Sequence, residues 1–458
     1  MADVVIRVAS GDDDVAAAGA LTAEAYHADG LIDDGDEYAG ELLDAARRAR
    51  EATLLVALVP TGAGGQVVAG GPGGGSKNVG MALVGTITLA PAGSSYAEIA
   101  EPGEAEVRML AVAPEVRRRG IAEALTRAAM LEAVSLGSRR VVLSTLDAMT
   151  TAHRLYDRLG FVALPERDWH HEGVALCVYA WDVPRGPGVR VETAVWTPRE
   201  VRDVDGWRVG LSGGFTRRAN SVVAVAAPGD VPASIDEVER VYAAAGLPPI
   251  FRVCAQSMPD NLDDLLRLRG YRDVSHTVVM VRQSLDGSSA AARDDARGSA
   301  GGLSAGVGHG GAEIFPGADG TSRAGRGISC AVADEPDAAW LSVWLADKAA
   351  RSVDPALAAG VLSGVPAVYL TAWDRGTPVG VIRAALEQDW VGLSCLVVQP
   401  GARRRGIGRA LTDWALRSCA DRGARRAFLQ VAEANEPAIA LYWQAGFTPA
   451  ERYHYRER

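Results

Sequence analysis

The feature that most constrains this chain is a repeated string. Arg117-Arg118-Arg119-Gly120-Ile121-Ala122 returns as Arg403-Arg404-Arg405-Gly406-Ile407-Gly408, at an offset of 286 residues (406 − 120). Tyr156 and Tyr442 keep the same offset, and residues 110–161 align with 396–447 without a gap, with 22 identities in 52 positions. Unrelated segments would share only a few, so the chain contains an internal duplication, and its 458 residues make at least two domains.

Each copy reads as strand, basic glycine turn and helix. The apolar runs Leu110-Ala111-Val112-Ala113-Pro114 and Leu396-Val397-Val398-Gln399-Pro400 end at a proline, as strands do. After the turn, Ile121, Leu125 and Ala128, like Ile407, Leu411 and Trp414, recur at helical spacing. Each predicted helix therefore starts at a glycine. Its first N–H groups lack intrahelical partners and its dipole favours an anion, which makes the turn a phosphate cradle rimmed by arginine. An isolated basic glycine turn is as readily a solvated charge run.

The segments beyond each turn strengthen the phosphate reading. A strand of apolar character leads to Leu155-Tyr156-Asp157-Arg158-Leu159-Gly160-Phe161 or to Leu441-Tyr442-Trp443-Gln444-Ala445-Gly446-Phe447. In this pattern the chain resembles the GCN5-related N-acetyltransferase (GNAT) family, with its R/Q-x-x-G-x-G/A turn and later N-x-x-A-x-x-L-Y and G-F. The second copy carries Asn435, Ala438, Leu441 and Tyr442; the first has Met149 in place of the asparagine. The resemblance implies an α+β fold, two tandem acyltransferase units with mixed sheets flanked by helices, of an actinobacterial type. It places acetyl-CoA, as co-substrate, on Leu110, Ala111, Val112, Arg117, Arg118, Arg119, Gly120, Ile121 and Ala122. In the second copy the same ligand falls on Leu396, Val397, Val398, Arg403, Arg404, Arg405, Gly406, Ile407, Gly408 and Asn435. Tyr156 and Tyr442 are then the proton donors to the departing thiolate, and Glu106 is the general base.

The strand pattern bears on the surroundings of Glu106, while its role is what the resemblance implies. Alternation along the strand puts Glu104, Glu106 and Arg108 on one face, and three charges there call for a wet cleft. The competing reading is a salt bridge from Glu106 to Arg108. Gly392 occupies the matching position of the second copy, whose base would come from Glu387, Asp389 or Glu433. The sequence around Tyr156 places it beside the apolar stripe of Ala152, Leu155 and Leu159.

The expected domains are an N-terminal acetyltransferase unit at 1–184, a degenerate acetyltransferase-like segment at 189–282, a disordered linker at 283–327 and a C-terminal unit at 328–458. Segment 189–282 lacks the phosphate turn but has Gly270-Tyr271 where Gly-Phe would stand, and it is expected to pack against the last unit. The linker is rich in Gly, Ala, Ser and Asp and poor in aromatic residues. One helix is expected over 37–50. Acids at 33, 34, 36 and 37 read as solvated loop charges before they read as an amine attractor. Arg217, Arg218 and Asn220, in the string Thr-Arg-Arg-Ala-Asn-Ser, have no assigned role.

Composition narrows the ligands. A net charge of −10 argues against a nucleic-acid surface. Five scattered cysteines show neither metal spacing nor a disulfide framework, so no metal is expected and the interior is taken as reducing. No apolar run approaches a membrane span, so the expected setting is the cytoplasm. The function expected is transfer of acetyl to a primary amine, on a small molecule or peptide, by direct attack in a ternary complex, in a monomer or homodimer. The alternative is an acyl-CoA sensor or structural module with one or both units catalytically silent.

Overall fold

The computed structural model describes residues 4–33, 35–61, 80–171, 173–285, 313–315, 327–348 and 355–458. It divides into two compact units, 1–183 and 184–458. Most of the expected linker at 283–327, and the glycine-rich stretch at 62–79, lie outside the described residues.

The first unit is built on one sheet, in the order Val5–Val8, Thr53–Pro60, Met81–Pro91, Glu104–Val112, Arg140–Leu146, Val174–Asp182, Val162–Ala163. Its only parallel pair among the described strands is Glu104–Val112 with Arg140–Leu146. That pairing runs from Glu104↔Arg140 to Val107↔Leu143 and stops. Beyond it the two strands separate, because Met109 takes a left-handed φ of 51° and the register with Met81–Pro91 slips between Thr86 and Thr88. A non-glycine residue held there costs about 1–3 kcal/mol, so the neighbouring sheet must impose it. The helix Ile121–Ser135 packs on the sheet over Gly85, where an added Cβ would come within 2.9 Å of Leu125 and 3.0 Å of Ile121. The helix expected over 37–50 is two, Tyr38–Leu43 and Ala45–Glu51. Asp44 breaks the first and caps the second by accepting from the Arg47 N–H at 3.0 Å.

The second unit repeats this scheme in Ile328–Ala333, Ala367–Asp374, Thr377–Glu387, Trp390–Val398 and Arg426–Ala432. Parallel pairing again stops early, at Leu393↔Leu429. Cys395, at φ 58°, is the counterpart of Met109. Gly380 takes the place of Gly85 beneath Ile407 and Leu411.

The second unit then departs from the first. The place taken in the first unit by Val174–Asp182 is filled here by Arg272–Arg282, from the middle of the chain, paired from Thr277↔Ala432 to Arg282↔Ala427. The last strand, Thr448–Glu457, lies on its far side and in turn pairs with Ile250–Cys254. The sheet continues through Val222–Val223, Trp207–Leu211 and Glu200–Val204 to twelve strands. Segment 189–282 therefore interleaves with the strands of 328–458 instead of packing beside them. The core agrees: Val191, Val195 and Trp196 join Trp340, Trp344, Phe428 and Tyr453 in a single apolar cluster. Each stretch leaves a sheet face uncovered that the other covers, so burial favours one body. No helix among the described residues is long and apolar enough to cross a membrane.

Candidate active site

The two arginine–glycine turns have the same backbone. Arg118 and Arg404 hold left-handed φ values of 62° and 61°, and Gly120 and Gly406 follow at 81° and 80°. Arg117 Nε donates to the Val112 carbonyl at 3.2 Å and Arg403 Nε to the Val398 carbonyl at 3.0 Å, which ties each turn to the end of the splayed strand. Neither Gly120 nor Gly406 caps its helix with a side chain, and an added Cβ at Gly120 would meet nothing within 4 Å. Open space thus faces uncapped N–H groups at a positive helix end, and a diphosphate fits that chemistry. The arginines do not act alike. Arg117 is held by Asp29, at 2.5 Å and 3.1 Å, and Arg405 by Asp374 at 2.6 Å. The side chains of Arg118, Arg119 and Arg404 are exposed and have no ion-pair or hydrogen-bond partner among the described residues.

The tyrosines are also matched. Tyr156 is 6% exposed and Tyr442 8%. Each ring packs against the phenylalanine of its G-F pair, at 5.8 Å and 5.9 Å between centroids. Tyr156 is thus within the buried face of its helix, not beside it, because Phe161 and Tyr179 close over the ring. Burial pushes the Tyr156 hydroxyl up to about 12. Tyr442 is pushed up as well, by burial and then by Cys395. Neither hydroxyl has a hydrogen-bond partner among the described residues, although a buried tyrosine usually finds one.

The strand face carrying Glu104, Glu106 and Arg108 is not the wet cleft that alternation suggested. Glu104 is 2% exposed and accepts from Arg167 at 3.0 Å and 3.1 Å. Glu106 is 1% exposed, and its Oε2 accepts from the N–H groups of Glu98, Ile99 and Ala100 at 2.7, 2.8 and 3.3 Å. Its Oε1 lies 3.8 Å from Arg108. Burial raises its pKa, while these N–H groups and Arg108 oppose the rise. The loop after Tyr96 folds over the strand and neutralises the charges by hydrogen bonding, which alternation alone cannot reveal.

In the second unit a cavity of about 1880 Å³ gathers the site. Its lining includes the splayed strand from Leu393 to Val398, the turn from Ala402 to Gly408, Asn435 and Tyr442. Single-ligand pockets run to about 1,000 Å³, so there is room for two molecules. Asn435 caps the tyrosine helix, with its Oδ1 3.3 Å from the Ala438 N–H. Glu387, Asp389 and Glu433 are not in the lining. Asp389 is bound by Arg426 at 2.7 Å and 2.9 Å, and Glu433 by Arg452 at 2.6 Å. The lining carboxylates are Asp347 and Asp413, and both are engaged, Asp413 with Arg409 at 2.9 Å. Sequence reading missed Asp347, on helix Ala338–Lys348, because nothing in the string links it to the cradle. It also gave no site role to Trp196, Thr216, Arg217, Arg218, Ser275 and Thr277, which come from segment 189–282, expected to pack against the last unit.

Residues 74–161 and 332–447 match the model of the Acetyltransferase (GNAT) family. An uncharacterised N-acetyltransferase of Bacillus subtilis, YobR, is 26% identical over 278 residues, covering 58% of this chain and 96% of its own. A mycothiol acetyltransferase of Beutenbergia cavernae is 54% identical over 54 residues, which is 12% of this chain and 18% of that one. Among solved structures, a tandem GNAT protein from the clavulanic acid biosynthesis pathway aligns with 100% of this chain and 98% of its own, at 15% identity and a TM-score of 0.30.

Proposed function

This chain belongs to the GNAT acetyltransferase family in tandem form, and from that premise we propose that its second unit moves an acetyl group from acetyl-CoA to a primary amine by direct attack. The observation that carries this is the conjunction, in one cavity, of a splayed strand, an uncapped glycine helix start and a lining tyrosine, Tyr442, whose hydroxyl has no partner among the described residues.

Acetyl-CoA supplies an activated thioester and a diphosphate. The N–H groups of Ile407 and Gly408, at the helix start after Gly406, receive the diphosphate, with Arg404 adding charge at the rim. The edge of Leu396 to Val398 that faces away from Thr377–Glu387, beyond the last pair Leu393↔Leu429, offers an N–H to the thioester carbonyl and steadies the negative charge that develops on its oxygen. The amine nitrogen forms its bond to the carbonyl carbon as the C–S bond breaks. Tyr442 gives its proton to the leaving sulfur, and Asp347 takes a proton from the amine. Burial keeps Tyr442 in its protonated form, the form that can donate.

A silent, acyl-CoA-binding role suits the first unit better. Its cradle, Arg117 to Ala122, its strand end, Leu110 to Val112, and Tyr156 are all in place. However, Oε2 of Glu106 is committed to three backbone N–H groups, which leaves its carboxylate as a fastener for residues 98–100 and a poor base.

Thiol release from acetyl-CoA against an amine panel tests both readings. Loss in Tyr442→Phe with activity kept in Tyr156→Phe supports them. Equal turnover in wild type and both variants rejects the mechanism.

A further inference from the structure

Two guanidinium groups approach the Trp196 ring, Arg218 at 5.5 Å and Arg383 at 5.3 Å from its centroid. Neither has a carboxylate partner among the described residues. Arg218 is half-buried, lines the cavity and has no hydrogen-bond partner for its side chain among the described residues. Arg383 is 1% exposed. It donates to the carbonyls of Leu362 and Val195 at 3.1 Å and 3.0 Å and lies 3.5 Å from Oγ of Ser394, a lining residue, while its Nη2 has no partner among the described residues.

A buried cation without an anion is costly, and this unit pairs its other buried arginines. Arg252 meets Glu192 at 2.8 Å, and Arg456 meets Asp263 at 2.8 Å. Arg217, next to Arg218, is also engaged, with Glu457 at 3.0 Å and Ser275 at 2.7 Å. Among the described residues Arg383 is thus the fully buried arginine of this unit left without a carboxylate, and Arg218 approaches the same tryptophan.

The loop that presents Arg218 is held firmly. Asn220, 2% exposed, accepts from the N–H groups of Ser212 and Gly214 at 2.7 Å and 3.0 Å and donates to the carbonyls of Phe215 and Thr216, both at 2.8 Å. This explains the otherwise unassigned string Thr216-Arg217-Arg218-Ala219-Asn220-Ser221: it fixes a guanidinium at the wall of the cavity that the cradle also lines.

We infer that the acceptor taken by the second unit carries an anionic group, a carboxylate or a phosphate, which Arg218 binds while Arg383, beside Trp196, makes that wall electropositive. The inference rests on the reading of this cavity as an acetyl-transfer site and names the class of acceptor. With Asp347 in the same lining, the site suits an amine and an anion on one molecule. Arg218 is a binding residue here, and Arg383 a positioning residue that acts through field and packing.

Calorimetry on the full chain saturated with coenzyme A tests this, because the cradle is then filled and added anions have only the acceptor end. The probes are N-acetylglycine, N-acetylphosphoethanolamine and neutral N-acetylethanolamine. At least one anion should bind about ten-fold or more tightly than the neutral amide, as a charge-assisted hydrogen bond predicts. Which anion does so separates carboxylate from phosphate. The preference should vanish in Arg218→Gln and return in Arg218→Lys, with coenzyme A affinity unchanged in both. Equal binding of the three probes, binding of none, or a preference that survives Arg218→Gln overturns the inference. Failure of the chain to take up coenzyme A overturns the acetyl-CoA reading instead, and the same three probes then read anion preference on the free chain.

Discussion

Gly392 and Val195 are in close contact: a Cβ added at Gly392 would stand 2.9 Å from Cγ2 of Val195, and also 2.9 Å from Cζ of Phe428. Gly392 is the counterpart of Glu106, so the missing carboxylate of the second unit is not a vacancy that a substitution can refill. Gly392→Glu should destabilise the second unit by about 1–3 kcal/mol from overpacking alone, with burial of the carboxylate adding to this, and should not raise turnover. Denaturant unfolding measures the first effect. A variant as stable as wild type would mean that segment 189–282 is not seated on this strand.

Tyr442→Phe should lower kcat about 10²–10⁴-fold, the usual contribution of a positioned general acid. The KM for acetyl-CoA should change little, since the ring packing against Phe447 is kept. Because the folded-state pKa is raised, the acid form persists as pH rises, and the wild-type rate should show no falling limb from this group through pH 10. A falling limb near neutral pH would assign the proton to another residue.

Arg404→Glu should weaken coenzyme A binding about ten-fold and reduce its salt dependence, because this exposed guanidinium is free to meet phosphate. Arg117→Gln should act differently. It breaks the bonds to Asp29 and the Val112 carbonyl and should show mainly as a lower melting temperature of the first unit. Titrating coenzyme A into both variants, alongside melting curves, separates the roles.

Glu451 supplies a pH signature. Burial, and then the nearby Glu192, raise its pKa to about 7 against the opposing pull of Arg252. The folded unit then holds a proton that the unfolded chain has released, so this group's contribution is fully present below about pH 4.5 and is lost as pH rises to about 7. Each pH unit between those values corresponds to about 1.4 kcal/mol, so the loss across the window is at most about 3–4 kcal/mol. Glu451→Gln should flatten the decline in denaturation midpoints over the same range. An unchanged slope would show that Glu451 is not the group responsible.

The sequence by itself determined the duplicated chemistry. The offset shared by Gly120 with Gly406 and by Tyr156 with Tyr442 reports local structure, in which a strand end, a left-handed turn and a helix start are set by residues within a few positions of one another. Those features were legible because backbone preference and helical spacing are short-range. Only the tertiary structure decided which charges are free and what encloses the second cavity. Glu106 reads as a base until residues 98–100 fold over it, and Arg117 and Arg404 look equivalent until Asp29 takes hold of one. Arg272–Arg282 enters the sheet beside Arg426–Ala432, about 150 residues later in the chain, because two half-covered sheets bury more apolar surface together than apart. Interactions between such distant stretches leave no periodicity in the sequence, and they bring Trp196 and Arg218 to the wall of the candidate active site.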